Sequence, residues 1–538
     1  MAKTALIKKS TVHKFTYHSL VEWVSLHRLE FVSLVIILLV GALLRFCKIA
    51  DYMTFLGDEG RDAIVVRRFL VNFDPILIGP GTSIGNMYLG PLYYYLMAPA
   101  LLVFNFSPVG PAIMIAALGV ATVFLVWQLA RELFPQTNSG VHLGAFLGGI
   151  LYAISSTVVH FSRSSWNPNI MPFFSLLCMY AIWRVWSRMQ HKWLIVLGIS
   201  LAFVLQSHYL GLLLVPVLFS FWVLTFLKVK NQKAHRQDFL RKSVLGIAIF
   251  FLLMSPLLIF DARHDWLNFN SMKVFFTERQ TTVSARPWTG LPKIPEMFSQ
   301  ILTSLLAGNN KVVGTASAFL LSIATIFTFG YLVRSKKVVK ENFFRPLVLL
   351  ITWAFFGILG LALYKQHIYD HYFGFLFPVP FLMLAGIFQL VENRKKYLGA
   401  LLAVPVVISL GYVNFLDMWF WKAPGKQLQR SINVAEKMIE ISDGEKFNMA
   451  TIAERNYEGA YQYFLEKEGA NFVMIDPQRE KETVAKQLFV VCEMPREKCD
   501  PTTNPKAGIA NFGWSKIDME WQVSGVTLFR LVHSVPSN

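Results

Sequence analysis

Apolar runs long enough to cross a bilayer recur along this chain, and they constrain its fold more than any other feature. The first, FVSLVIILLVGALLRF (residues 31–46), is near the length a transmembrane helix needs, about 20 residues. Others follow, separated by short basic or Pro/Gly-rich loops. In hydrocarbon each segment must satisfy its own backbone N–H and C=O groups, so every run reads as a helix. About eleven spans are predicted, at 31–47, 109–131, 141–160, 170–187, 193–207, 209–227, 243–260, 312–333, 346–364, 373–391 and 397–415. Segment 87–106 is apolar too, but Gly90, Pro91, Pro99 and Pro108 interrupt it, and it is expected to lie at the membrane interface. With 54% hydrophobic and 16% charged residues, the chain is too apolar for a soluble protein of this size.

The net charge of +18 does not indicate nucleic acid, because the basic residues cluster between apolar runs. KVKNQKAHRQDFLRK (228–242), RSKKVVKENFFR (334–345) and ENRKK (392–396) are orientation signals that place those loops inside. The expected order is a cytoplasmic segment 1–30, a transmembrane domain 31–418 and an extracytoplasmic α/β domain 419–538. No small-residue cleavage site follows the first run, which reads as an uncleaved span. In the tail, SINVAEKMIEI and EGAYQYFLEKEG have helical period, whereas NFVMID, QLFVVCEM and VTLFRLVHS read as strands. Cys492 and Cys499 are spaced to close a loop in an oxidising compartment, two free thiols being the alternative. Cys47 and Cys178, at the end of one span and within another, read as small hydrophobes. The fold class is therefore mainly α, a polytopic helical membrane protein with a small C-terminal α/β domain.

Five outward segments carry polar residues that should meet at the outer membrane surface. FLGDEGRDAI (55–64) supplies Asp58, Glu59, Arg61 and Asp62, and the same loop supplies Asn86 and Tyr88. HFSRSSWNPN adds His160, Arg163, Trp166 and Asn167, and LQSHYLG adds Gln206 and His208. DARHDW brings Arg263 and His264, and KQHIYDHY brings Lys365, His367, His371 and Tyr372. Paired carboxylates suit general-base chemistry when a neighbouring cation keeps one ionised, and Arg61 lies one helical turn after Asp58. Asp58 fits the N-cap of a helix through RDAIVVRRFL equally well, and Asp62 reads as first-turn helix charge. Interfacial cations such as Arg263 can simply snorkel, and Tyr372 can be a membrane anchor. Asp58, Glu59, His264 and His367 are metal-ligand types, but no tight ligand spacing appears, and the residues alone leave a divalent cation open.

Taken in order, GDEGRDA (57–63), GPLYYYLMAPALL (90–102) and the span ending ARELF (130–134) resemble the polytopic glycosyltransferases of the GT-C fold. The branch resembled contains the protein mannosyltransferases and the aminoarabinose transferase that modifies lipid A. SRSSWNPN (162–169) and HYFGFLFPVPFLMLAGI (371–387) carry the likeness further, so that it spans residues 30 to about 415. It implies an inverting transfer of a sugar from a polyprenyl-phosphate donor to a glycan, lipid or protein acceptor on the non-cytoplasmic face of a bacterial plasma membrane. In the resemblance Asp58 takes the place of the general base, Glu59 that of the second acid and Arg61 that of the adjacent cation. Some members of the fold need a divalent ion and others do not. Where the aminoarabinose branch has a phosphate-contacting lysine before the proline of the interfacial helix, this chain has Gly90. Arg263, and after it His264, Lys365 and His371, are the expected replacements.

A transporter or lipid flippase is the competing reading. It predicts ionisable residues near the middle of the spans, and here the charge sits at their outer ends. Sugar flux into vesicles, set against transfer from a labelled polyprenyl-phosphate sugar, separates the two.

Overall fold

A computed structural model describes residues 23–82, 87–137, 140–277, 284, 286–335 and 340–534. Eight helices in it are long and apolar enough to cross a membrane. Asp370–Leu376 and Val379–Arg394, bent by 44° at their junction, make a ninth if counted as one broken span. The chain is thus an integral membrane protein, but eleven full spans are not observed. Segments 141–160 and 193–207 form the shorter helices Leu143–Ile154 and Trp193–Ser207. Twelve and fifteen residues reach only about 18 and 22 Å, short of the roughly 30 Å hydrocarbon layer. The first ends where Ser155 turns extended and its hydroxyl donates to the Leu305 carbonyl at 2.7 Å. The second ends at His208, also extended, ahead of the turns Tyr209–Leu214.

The two long loops expected to face outward are built of helices. The first holds the loop helix Gly57–Asn72 and the interfacial helix Leu92–Val103, and the second holds Leu267–Thr277 and Ile294–Leu305. The interfacial helix is not laid open on a surface, since Tyr93, Tyr94, Met97 and Leu101 are buried in the core. Gly90 has a packing reason. A Cβ there would lie 2.0 Å from Oε1 of Gln206, the atom that accepts the Leu92 N–H at 3.2 Å and so caps this helix.

Arg163 was expected to bind substrate, but it serves the first span, Arg28–Phe46. Its guanidinium donates to the carbonyls of Leu44 (2.6 Å), Arg45 (3.0 Å) and Cys47 (2.8 Å), and it lies over the Trp419 ring at 4.2 Å. Carbonyls at a helix C-terminus lack intrahelical partners and carry the negative end of the helix dipole, so a cation there is structural.

Residues 427–534 form a four-stranded sheet in the order β1 (Phe447–Ile452), β2 (Gln487–Cys492), β4 (Val526–His533), β3 (Ser515–Val523). β1 and β2 are parallel, and the other two pairings are antiparallel. NFVMID is not a strand; Phe472 makes only an isolated bridge to Phe447. β1 and β3 were not expected: β1 is buried throughout and mixes Asn448 and Thr451 with apolar residues, whereas β3 does alternate, with Ile517, Met519, Trp521 and Val523 between charged or polar residues. Cys492 and Cys499 form a disulfide.

This sheet and its helices Gln427–Ile441 and Gly459–Lys467 do not hang free of the membrane part. Leu428, Met438, Tyr461 and Phe489 share one continuous core with the spans. Helix Gly459–Lys467 lies directly on the loop helix, and glycine is what allows this. A Cβ on Gly60 would fall 2.3 Å from the Ala460 backbone nitrogen, and one on Gly459 would fall 2.3 Å from the Gly57 carbonyl oxygen. Arg68 and Glu466 pair across the same contact, the guanidinium donating at 2.5 and 3.1 Å. Because the obstructing atoms are backbone, Gly60→Val should cost on the order of 1–3 kcal/mol. A melting temperature several degrees lower in detergent is the expected result, and an unchanged one would mean that the two helices are not in backbone contact.

Candidate active site at the start of the loop helix

The loop helix begins at Leu56, whose backbone is extended. Glu59, three residues on, turns back so that Oε2 accepts the Leu56 N–H at 3.0 Å. Glu59 is buried and is the capping carboxylate. Asp58 is therefore not the N-cap that its type suggested. It lies within the first turn, its side chain 42% exposed.

Arg61 ties this turn together. Its Nη1 donates to Asp58 Oδ1 at 2.9 Å, and its Nε and Nη2 donate to Asp62 Oδ1 at 3.1 and 2.8 Å. Asp62, expected to be ordinary helix charge, is fully buried and also accepts the Tyr94 hydroxyl of the interfacial helix at 2.8 Å. From the C-terminal domain, the Tyr457 hydroxyl donates to Asp58 Oδ1 and accepts from Arg61 Nη1 at 3.3 Å. Asn456 beside it accepts the Gly57 N–H at 2.8 Å.

Burial sets the protonation of the inner carboxyls. It pushes Glu59 up to about 7, helped by the charges of Asp58 and Asp62 and opposed by the hydrogen bond from Leu56. It likewise pushes Asp62 up to about 6, against the pull of Arg61 and Tyr94. Burial disfavours the Arg61 charge, but Asp62, Tyr94, Tyr457 and Asp58 more than offset this and hold it cationic. Desolvation also pushes the Tyr457 hydroxyl well above its ordinary value, so it stays protonated and can donate.

Two cavities meet at Asp58, and Trp166 lines both. One, of about 210 Å³, is bounded by Asp58, His160, Asn169, Arg455 and Tyr457. The other, of about 200 Å³, is bounded by Asp58, Arg61, Leu89, His208, Tyr209, His371 and Tyr372. In the second, His208 Nδ1 accepts the Leu210 N–H at 3.2 Å, its ring stacks on Tyr209, and His371 packs on Trp166 with ring centres 4.5 Å apart.

Of the residues expected at the site, the structure thus gathers Asp58, Glu59, Arg61, His208, His371 and Tyr372. Others lie elsewhere. Arg263 and His264 end the helix Lys233–Arg263 in exposed positions, His264 stacked on Phe260, and neither lines a cavity at Asp58. Lys365 and His367 are exposed and line neither cavity, and His367 packs on Tyr369. Tyr88 donates its backbone N–H to Asn268 at 2.7 Å and packs on Phe260. Asn86 lies outside the described residues. Among the described residues no group of three His, Cys, Asp or Glu side chains could hold a metal ion. Sequence reasoning missed Tyr94, Arg455 and Tyr457. The turn residues RNYEG (455–459), between a strand and a helix, were the available signal for the last two.

Residues 89–260 match the family described as dolichyl-phosphate-mannose-protein mannosyltransferase. Among solved structures, the fold is similar to ArnT from Cupriavidus metallidurans bound to undecaprenyl phosphate. That match has a TM-score of 0.58 and 11% identity, over 93% of this chain and 97% of that one. The apo state of the same protein matches with a TM-score of 0.57 and 10% identity, over 95% and 98% of the two chains. No curated protein matches the chain. The likeness to the mannosyltransferase family therefore covers residues 89–260, and the fold of nearly the whole chain is similar to that of ArnT.

Glu59 supplies a test of this arrangement. Its folded-state pKa lies above the ordinary value of about 4.3. Between that value and about 7 the folded protein binds more protons than the unfolded chain, so stability is lost as pH rises through the window. Glu59→Gln keeps an acceptor for Leu56 and removes the titration. In thermal melts the variant should match the wild type near pH 4 and exceed it at pH 8; an equal offset at both would contradict a buried capping acid.

Proposed function

We propose that this protein is an inverting glycosyltransferase that moves a sugar from a polyprenyl-phosphate carrier to an acceptor hydroxyl at the extracytoplasmic face of a bacterial plasma membrane. The observation that carries the reading is Asp58. One of its oxygens is held by Arg61 and Tyr457, and its carboxylate stands where two cavities meet. A carboxylate so placed can take a proton from a nucleophile in one cavity while the electrophile sits in the other. The fold similarity to ArnT and the mannosyltransferase match over residues 89–260 support the same class of reaction.

The surroundings of each cavity suggest its occupant. His208, Tyr209, His371 and Tyr372 lie at the ends of apolar helices, so their cavity suits the donor sugar and its phosphate. Arg61 lines the same cavity and offers positive charge to the departing phosphate. Arg455 and Tyr457 come from the C-terminal domain, and their cavity suits the acceptor. The acceptor O–H proton passes to Asp58, the acceptor oxygen bonds to the anomeric carbon, and the carbon–oxygen bond to phosphate breaks with its electron pair on the lipid phosphate. Glu59 acts through the helix cap rather than on substrate. The basic loops 228–242, 334–345 and 392–396 orient the site outward, with residues 1–30 cytoplasmic and 419–538 extracytoplasmic.

Asp58→Asn keeps the shape of the side chain and removes the base. Transfer from a labelled polyprenyl-phosphate sugar in liposomes should fall by about 100-fold or more while the melting temperature holds. Undiminished transfer, or sugar flux without transfer, would defeat the proposal.

A further inference from the structure

Asp58 has two carboxylate oxygens, and rotation about its last side-chain bond would exchange them. The structure makes them unequal. Oδ1 accepts from Arg61 Nη1 at 2.9 Å and from the Tyr457 hydroxyl, and among the described residues Oδ2 accepts nothing. Arg61 lies on the same helix, but Tyr457 reaches in from nearly four hundred residues away, in the turn between β1 and the helix Gly459–Lys467.

That turn is clamped to the loop helix at several points. The Tyr457 ring is seated on Gly57, where a Cβ would meet ring carbons at 2.5 Å. Asn456 accepts the N–H groups of Gly57 and Tyr457 at 2.8 and 2.9 Å, and its own amide donates to Glu493 at 2.5 Å. Tyr461, one turn beyond, donates to the same Glu493 oxygen at 2.6 Å. The hydroxyl is thus held by its domain and is not free to follow Asp58.

Resting on the reading of Asp58 as the base, we propose that Tyr457 is a positioning residue for the transfer: with Arg61 it pins Oδ1 and leaves Oδ2 as the oxygen that takes the acceptor proton. Each donor removed restores rotational freedom to the carboxylate, and misdirected reacting atoms cost rate more than binding. The C-terminal domain is on this account part of the catalytic apparatus, its seat on the loop helix being a condition for turnover.

Tyr457→Phe keeps the ring on Gly57 and removes only the hydroxyl; Tyr457→Ala removes both. A hydrogen bond to a charged group is worth at least a factor of about ten. In liposomes with a labelled polyprenyl-phosphate sugar, the Phe variant should therefore lose about tenfold in kcat. Its KM values for donor and acceptor should stay within about twofold, and its melting temperature should fall by less than that of Tyr457→Ala. Wild-type kcat in the Phe variant would overturn the proposal. A loss confined to the Ala variant and accompanied by lower thermal stability would do so too, since ring packing would then account for everything. Asp58→Asn in the same assay separates two failures. If it retains activity, the assignment of the base falls and this proposal falls with it; if it is inactive while Tyr457→Phe is normal, only the role of Tyr457 falls.

Discussion

Arg61 is shared between two carboxylates on its own helix, exposed Asp58 on one side and buried Asp62 on the other. A guanidinium offers several N–H groups in a rigid plane, so binding Asp62 through Nε and Nη2 fixes the direction in which Nη1 points. That direction is toward Asp58. Burying Asp62 is costly without a partner, and it is repaid by Arg61 and by the Tyr94 hydroxyl. Much of the architecture can be understood as what this arrangement requires. The interfacial helix must be buried to present Tyr94, and Gln206 must cap its first turn. A glycine at position 90 lets Gln206 come close enough.

The same economy governs the two ends of the loop that carries Asp58. On one side Arg163 holds the last carbonyls of the first span and stacks on Trp419, so the chain leaves the span along a fixed path. Phe55 donates its N–H to Gln427 and Thr54 donates to Ser164, at 3.0 and 2.8 Å. On the other side the C-terminal domain presses on the loop helix through glycines. A segment that looked like a long outward loop is therefore anchored to a span, to the interfacial helix and to the C-terminal domain at once. Such rigidity is what a base must have if it is to be held between two substrates.

Several features were legible before any coordinates. Apolar runs of bilayer length show as a membrane bundle, and DEGRD announces a charged cluster that the structure places at the mouth of two cavities. Errors arose where local pattern and tertiary need diverge. Asp at the start of a helix is a favoured cap, yet the cap is Glu59 reaching back, which depends on where the backbone turns extended. Arg163 looked like a ligand because it follows a span, but helix carbonyls claimed it. Arg263 looked suited to a phosphate, but the helix that carries it ends away from both cavities. The number of full-length spans differs because a run of apolar residues shows composition and not the helix breaks at Ser155 and His208.

By itself, the sequence determined the solvent of each segment, because hydrophobicity and backbone satisfaction in lipid are local properties that each run carries alone. It also determined that Asp58 and Arg61 would meet, since a three-residue spacing on a helix places them on one face. Only the tertiary structure decided that Asp62 would be buried, that Glu59 would cap, and that Tyr457 would complete the site. Those outcomes depend on which surfaces come into contact, and two residues 399 positions apart share no local signal. Their meeting is set by the packing of one helix on another, where the absence of a side chain at Gly60 and Gly459 matters as much as any side chain present.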